Sequence, residues 1–214
     1  MKILAISCSN VLHKQEDSIS TRVCTLAEKI LQQRQPGLLT ETLRLGEVSL
    51  ANCVFCGRCA ETGRCARDPA FNAVYQKMVQ SDALVLVIPF YSIVPSKLTM
   101  LLEKLNQVYY TAWIKDSQAR FALSGKKIAL IAHGGSVLRE NPSAMTNYVE
   151  LLLKPLNYSL QSLGFQLVGD GRVKGVAFGC EGYQQSEESL FPDLLQDWDE
   201  IESLIIPLLA GLAA

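Results

Sequence analysis

The chain has 214 residues, 49% of them hydrophobic and 19% charged, a balance that supports one well-packed core and excludes a disordered chain. Its formal net charge of −1 comes from 20 basic and 21 acidic residues. The basic residues are scattered, which excludes the concentrated positive face that a nucleic-acid backbone demands.

Apolar, β-rich runs alternate with helical patterns, the sequence sign of βαβ units around a parallel sheet. The opening run through Ile6 is too short and too soon polar for a secretory signal, and Lys2–Ser7 predicts a short buried strand. A polar loop follows over Cys8–Ser20. Val23, Leu26, Ala27, Ile30 and Leu31 then recur at helical spacing, and Gln35-Pro36-Gly37 ends that helix. Leu38–Leu45 alternates Thr40, Thr42 and Arg44 with apolar neighbours, as an edge strand does. After a cysteine-rich loop, Phe71, Val74, Tyr75 and Met78 mark one face of a helix over Pro69–Gln80. Ala83–Phe90 is almost wholly apolar and predicts a central strand buried on both faces. A helix over Pro95–Val108 comes next, then a second central strand, Lys127–His133, which the Gly134-Gly135 pair is expected to end.

A helix over Ser143–Leu163 leads to a last strand, Gly164–Val168, and residues 170–189 read as an irregular, glycine-rich stretch. Leu190–Leu209 predicts a closing helix. The apolar tail from Leu204 to Ala214 reaches only about half of the ~20 residues a membrane span needs, so a cytoplasmic protein is expected. Strict strand–helix alternation with right-handed crossovers puts helices on both sheet faces, and ligands outside the carboxyl ends of the strands. With no repeat, low-complexity segment or linker, residues 1–214 read as a single α/β domain with a cysteine-rich loop at 53–65.

Three loops stand where that architecture expects a ligand. The first runs from Ser7-Cys8-Ser9-Asn10 to Asp17-Ser18-Ile19-Ser20-Thr21 at a helix start, where unpaired amides and hydroxyls make an anion site. It has neither a dinucleotide fingerprint nor a Walker lysine, so a mononucleotide phosphate suits it; Ser18 or Ser20 serving only as an N-cap is the plainer reading. The second, Pro89-Phe90-Tyr91-Ser92-Ile93, offers amides and an aromatic to a flat ring, or is an ordinary turn into a helix with Pro95 at its start. The third is His133-Gly134-Gly135, whose glycines permit close backbone approach to a ligand; His133 by itself more often satisfies a local hydrogen bond.

Together these segments resemble the NADPH-dependent FMN reductase and iron–sulfur flavoprotein group of the flavodoxin-like superfamily, over nearly the whole chain. The resemblance rests on Ser7-Cys8-Ser9, Ser20-Thr21, the run Ser81–Tyr91 leading into Pro95-Ser96-Lys97-Leu98, Lys126–Ile131 with Gly134-Gly135, and Leu163–Gly169. It implies a flavodoxin-like three-layer sandwich with a five-stranded parallel sheet in the order 2-1-3-4-5. It also implies that Ser9, Ser18, Ser20 and Thr21 take the FMN phosphate, and that Pro89, Phe90, Tyr91, Ser92, Ile93, His133, Gly134 and Gly135 hold the isoalloxazine ring. One departure is plain: Asn10-Val11 stands where members commonly carry Pro-Arg, in a loop several residues longer.

The most specific signal is Cys53-x2-Cys56-x2-Cys59-x5-Cys65, four of the chain's seven cysteines. Three thiolates at three-residue steps can wrap one corner of a cube and the fourth can close it, a spacing similar to ferredoxin-type ligation of a [4Fe–4S] cluster and to the iron–sulfur flavoproteins. Gly57 and Gly63 supply tight turns. Reduced thiols, an adventitious disulfide, or a structural zinc are the duller readings.

The expectation is an FMN-dependent oxidoreductase with no catalytic side chain, in which Cys53, Cys56, Cys59 and Cys65 hold a cluster that relays electrons to or from FMN. The donor would be NAD(P)H or a ferredoxin-like protein, the acceptor a small molecule, and the assembly a homodimer or homotetramer. The alternatives are a cluster-free NAD(P)H-dependent FMN or quinone reductase, and a non-enzymatic regulatory or zinc-binding module on the same scaffold.

Overall fold

A computed structural model describes residues 1–11, 14–91, 93–118, 120–185 and 192–213. The main sheet contains β1 (Lys2–Ser7), β2 (Leu39–Arg44), β3 (Ala83–Pro89), β4 (Lys127–Val137), β5 (Gln166–Leu167) and β6 (Val176–Cys180). Its strands run parallel in the order β2-β1-β3-β4-β5, with β6 also paired to β4. β3 is buried along its whole length, as its unbroken apolar run demands.

The helices are α1 (Ile19–Arg34), α2 (Cys59–Thr62), α3 (Pro69–Gln80), α4 (Ser96–Lys115), α5 (Ser143–Asn147), α6 (Lys154–Ser162) and α7 (Trp198–Ala213). On one sheet face Leu4, Ile6, Leu84 and Leu86 pack with Phe71 of α3, Leu101 of α4 and Leu156 of α6. On the other, Ile3, Ala5, Val85 and Ile131 pack with Val23 and Ala27 of α1 and with Ile205 and Leu209 of α7. Alternation along each strand feeds the two cores, and each fully buried aliphatic side chain contributes on the order of 2 kcal/mol of burial energy. Among the described residues no helix is long and apolar enough to cross a membrane.

The expected strand order holds, but the structure departs from the sequence reading in several details. The fifth sheet position is split between two strands, which brings the total to six. β5 ends after two residues, the chain loops out, and β6 returns beside β4 with Val176 opposite Ile131. Gly175 makes that return possible: its φ is +109°, and a Cβ there would lie 2.7 Å from the Leu130 carbonyl oxygen. β4 does not stop at Gly134-Gly135 but continues through a register shift to Val137, which pairs with Cys180.

The closing helix begins at Trp198; Asp193–Leu195 (β8) pairs antiparallel with Gly182–Gln184 (β7), and the Asp197 carboxylate accepts from the Asp199 and Glu200 amides as the helix cap. Leu190, the expected helix start, lies outside the described residues. The helix expected over Ser143–Leu163 runs as α5, a π-helical segment over Tyr148–Leu153, and α6. That wide turn carries the buried Tyr148 against β4.

Candidate functional site

The parallel register assembles the first part of the site. Ser7, the last residue of β1, stands opposite Arg44, the last residue of β2. Both border a pocket at the carboxyl edge that Ser9, Ser18, Thr21 and Glu47 also line. The Ser18 hydroxyl oxygen accepts from the Thr21 amide at 3.3 Å, capping α1, and its own proton goes to Thr21 Oγ1 at 2.8 Å. Thr21 Oγ1 lies 3.0 Å from Ser7 Oγ. Three buried hydroxyls thus converge at a helix N-terminus beside a guanidinium, a donor set suited to an anion. Arg44 is meanwhile paired with Glu47 at 2.7 Å and Glu16 at 3.3 Å. The pocket holds about 10 Å³, room for about one water.

Ser20 does not join these hydroxyls. It is buried with its Oγ 2.7 Å from His133 Nε2, and the His133 ring stacks on Phe178 with centroids 5.6 Å apart. Burial pushes the His133 imidazole down to about 3, so it is neutral at physiological pH. The unfolded chain, with an ordinary value near 6.5, binds a proton that the folded protein excludes. Stability is therefore lost as pH falls below about 6.5, by about 2 kcal/mol at pH 5. Urea unfolding of the wild type and His133→Gln between pH 7 and 5 checks this; the variant should lose that much less stability on acidification.

The loop after β3 leans across the loop after β1. Tyr91 is exposed, with its hydroxyl 3.1 Å from Ser9 Oγ, and Asn10 Nδ2 donates to Ser96 Oγ at 3.2 Å. Pro89 is buried at the strand end and Ile93 is exposed, while Ser92 lies outside the described residues. Phe90 donates its amide to the His133 carbonyl and tilts onto the Tyr148 ring, with centroids 5.4 Å apart.

Gly134 is buried against Tyr148, and a Cβ there would lie 2.2 Å from the Tyr148 ring. Gly135 is exposed and its carbonyl accepts from the Tyr183 hydroxyl at 2.7 Å. The structure thus joins Ser9, Ser18, Thr21 and Tyr91 at one edge, and sets Ser20 and His133 together behind it.

The four clustered cysteines line a separate cavity of about 30 Å³ that Phe71, Lys104, Gln107 and Val108 also border. α2 opens at Cys59, and Asn72 of α3 pins Cys65 by bonding its amide and its carbonyl, each at 2.8 Å. Phe55, between Cys53 and Cys56, has a φ of +50°, a conformation uncommon for an aromatic residue. Among the described residues, no three His, Cys, Asp or Glu side chains lie close enough to hold a single metal ion. Burial pushes the Cys8, Cys24 and Cys180 thiols up.

Two groups escaped the sequence reading. Arg44 was legible only as an alternating strand residue, although its place at a strand's carboxyl end was a usable signal. The buried pair Lys104–Asp68, 3.2 Å apart, sits beside the cysteines. Burial alone would raise the Asp68 carboxyl, but the Phe71 and Ala51 amides and Lys104 outweigh it and hold it below the usual carboxylate range. Nothing in the pattern of α4 separated Lys104 from an ordinary surface lysine.

Residues 1–149 match the family model for NADPH-dependent FMN reductase. No curated protein matches the sequence. Among solved structures, an azoreductase from Bacillus anthracis aligns at TM-score 0.56 and 19% identity, over 84% of this chain and 86% of that one. RosB, solved with 8-demethyl-8-formylriboflavin-5'-phosphate, aligns at TM-score 0.60 and 16% identity, over 100% of this chain and 77% of that one. FerB, an NAD(P)H:(acceptor) oxidoreductase flavoenzyme from Paracoccus denitrificans, aligns at TM-score 0.53 and 15% identity, over 99% of this chain and 97% of that one. These likenesses carry the fold.

Proposed function

Because the chain belongs to the NADPH-dependent FMN reductase family, we propose that it is an FMN-dependent oxidoreductase whose carboxyl-edge pocket takes the FMN phosphate. One observation carries this reading: the pairing of Ser7 with Arg44, which brings a guanidinium to the buried hydroxyls of Ser18 and Thr21. When bound, FMN supplies hydride and single-electron chemistry. The chain's part is to bind and orient.

Ser7, Ser9, Ser18 and Thr21 hold the phosphate by hydrogen bonds, and Arg44 balances its charge, trading part of its pairing with Glu47 and Glu16. The exposed Tyr91, with its hydroxyl 3.1 Å from Ser9 Oγ, would stand beside the bound ligand. Pro89–Ile93 and His133–Gly135 border the ring, with Ser20 fixing His133 from behind. No side chain acts as acid or base. The single α/β domain serves as a cytoplasmic protein with NAD(P)H or a ferredoxin-like protein as donor and a small molecule as acceptor. Exposed Tyr110, Trp113 and Ile114 on α4 favour a homodimer or homotetramer.

Cys53, Cys56, Cys59 and Cys65 would in turn hold a [4Fe–4S] cluster, which supplies one-electron transfer when bound. Four thiols around one cavity, two of them already receiving hydrogen bonds, support it. A cube spreads its thiolates further apart than a single ion does, so the lack of a tight trio bears against zinc more than against a cluster. A cavity of this size must open to admit a cube, which the exposed Phe55 and Cys56 permit.

Anaerobic purification followed by flavin, iron and sulfide analysis tests both parts. Flavin with four irons per chain is expected, and Cys56→Ser should lose the iron while keeping the flavin. The same absence of a tight trio favours a second reading, a cluster-free NAD(P)H-dependent FMN or quinone reductase. Flavin without iron, together with steady NAD(P)H oxidation, would select it.

A further inference from the structure

Two side chains of α4, Lys104 and Thr111, stand seven residues apart and so share one helix face, and both donate to cysteine sulfurs. Lys104 Nζ lies 3.7 Å from Cys65 Sγ, and Thr111 Oγ1 lies 3.5 Å from Cys59 Sγ. Lys104 is 3% exposed, and among the described residues no other lysine or arginine is buried. The ammonium is held in place by Asp68 at 3.2 Å and by the Phe71 ring, whose centroid is 5.7 Å away. Asp68 in turn is fixed by the Ala51 and Phe71 amides, each at 2.9 Å. Burying a lysine is costly, and a single carboxylate partner would stabilise the α3–α4 contact no better than apolar packing would. Its position against sulfur gives the charge a use.

We propose that Lys104 and Thr111 are positioning residues that set the charge balance, and hence the reduction potential, of the iron–sulfur group held by Cys53, Cys56, Cys59 and Cys65. The inference rests on the cluster reading above. Four thiolates around a doubly positive core leave a net negative group, and adding an electron makes it more so. A buried cation beside Cys65 favours the reduced form, since it is screened far less than the solvent-exposed Arg67 at the same cavity. The Thr111 hydroxyl acts in the same direction and more weakly, because its proton is shared with the Gln107 carbonyl at 2.7 Å.

The test is a dithionite titration of the anaerobic holoprotein with redox mediators, dithionite supplying the electron, read by the cluster's absorption and electron paramagnetic resonance. Lys104→Met should shift the one-electron equilibrium toward the oxidised cluster by at least tenfold, about 59 mV. Lys104→Arg should stay closer to the wild type. Lys104→Met/Asp68→Asn removes the pair without leaving a buried carboxylate alone; because a negative charge goes with the positive one, its fall should be in the same direction as that of Lys104→Met but smaller. Thr111→Val, which keeps shape and charge, should shift the equilibrium in the same direction by a smaller factor, and it carries the test where the lysine variants fail to fold. Unchanged potentials in iron-loaded variants overturn the inference and leave the cluster reading intact. Wild-type protein without iron or sulfide overturns both.

Discussion

Gly134→Ala should destabilise the protein by about 3 kcal/mol, near the upper end of the usual overpacking penalty. Its new Cβ would sit 2.2 Å from the Tyr148 ring, far inside van der Waals contact. That ring cannot swing away cheaply. Tyr148 is 1% exposed, tilts onto Phe90, and accepts a hydrogen bond from the Ser136 amide at 3.2 Å. Urea unfolding of Gly134→Ala, Tyr148→Leu and the double variant measures the coupling, and the double variant should be at least about 1 kcal/mol more stable than the sum of the single losses implies. The sequence suggests that Gly134 makes room for a ligand. Full stability in Gly134→Ala would contradict the packing account.

Arg44→Met should weaken FMN binding by about tenfold or more, the worth of one charge-assisted hydrogen bond. Thr21→Val, which removes the hydroxyl that joins Ser7 to Ser18, should weaken it by a similar factor. Riboflavin has the same ring and no phosphate, so its affinity should hold steady in both variants. Flavin fluorescence titrations with the two ligands separate the cases. Equal losses for FMN and riboflavin would mean that the pocket is structural and that the phosphate goes elsewhere.

Much of this architecture was legible because local chemistry and fold agree. The unbroken apolar run Ala83–Phe90 had to be a central strand, and the helical spacing of Phe71, Val74, Tyr75 and Met78 marked α3. The legible parts of the site were those at a strand end followed by a helix cap, such as Ser18 and Thr21. What escaped depends on pairing between distant segments. β5 and β6 share one sheet position only because Gly175 lets the chain come back against β4, and no periodicity marks that return. Arg44 becomes a site residue through its register with Ser7. Ser20 and Thr21, neighbours in one helix turn, face opposite ways: one bonds His133 and the other Ser7. Lys104 was hidden for a similar reason, since a lysine in an amphipathic helix reads as solvated until the packing of α4 shows it buried.

The most direct test is a titration of the purified, flavin-free protein with FMN, followed by fluorescence quenching and by the mass of the complex under native conditions. One FMN per chain, bound more tightly than riboflavin, is the predicted result. Protein that stays folded yet takes up no FMN, or that binds riboflavin equally well, would contradict a phosphate-anchored flavin at the carboxyl edge of the sheet.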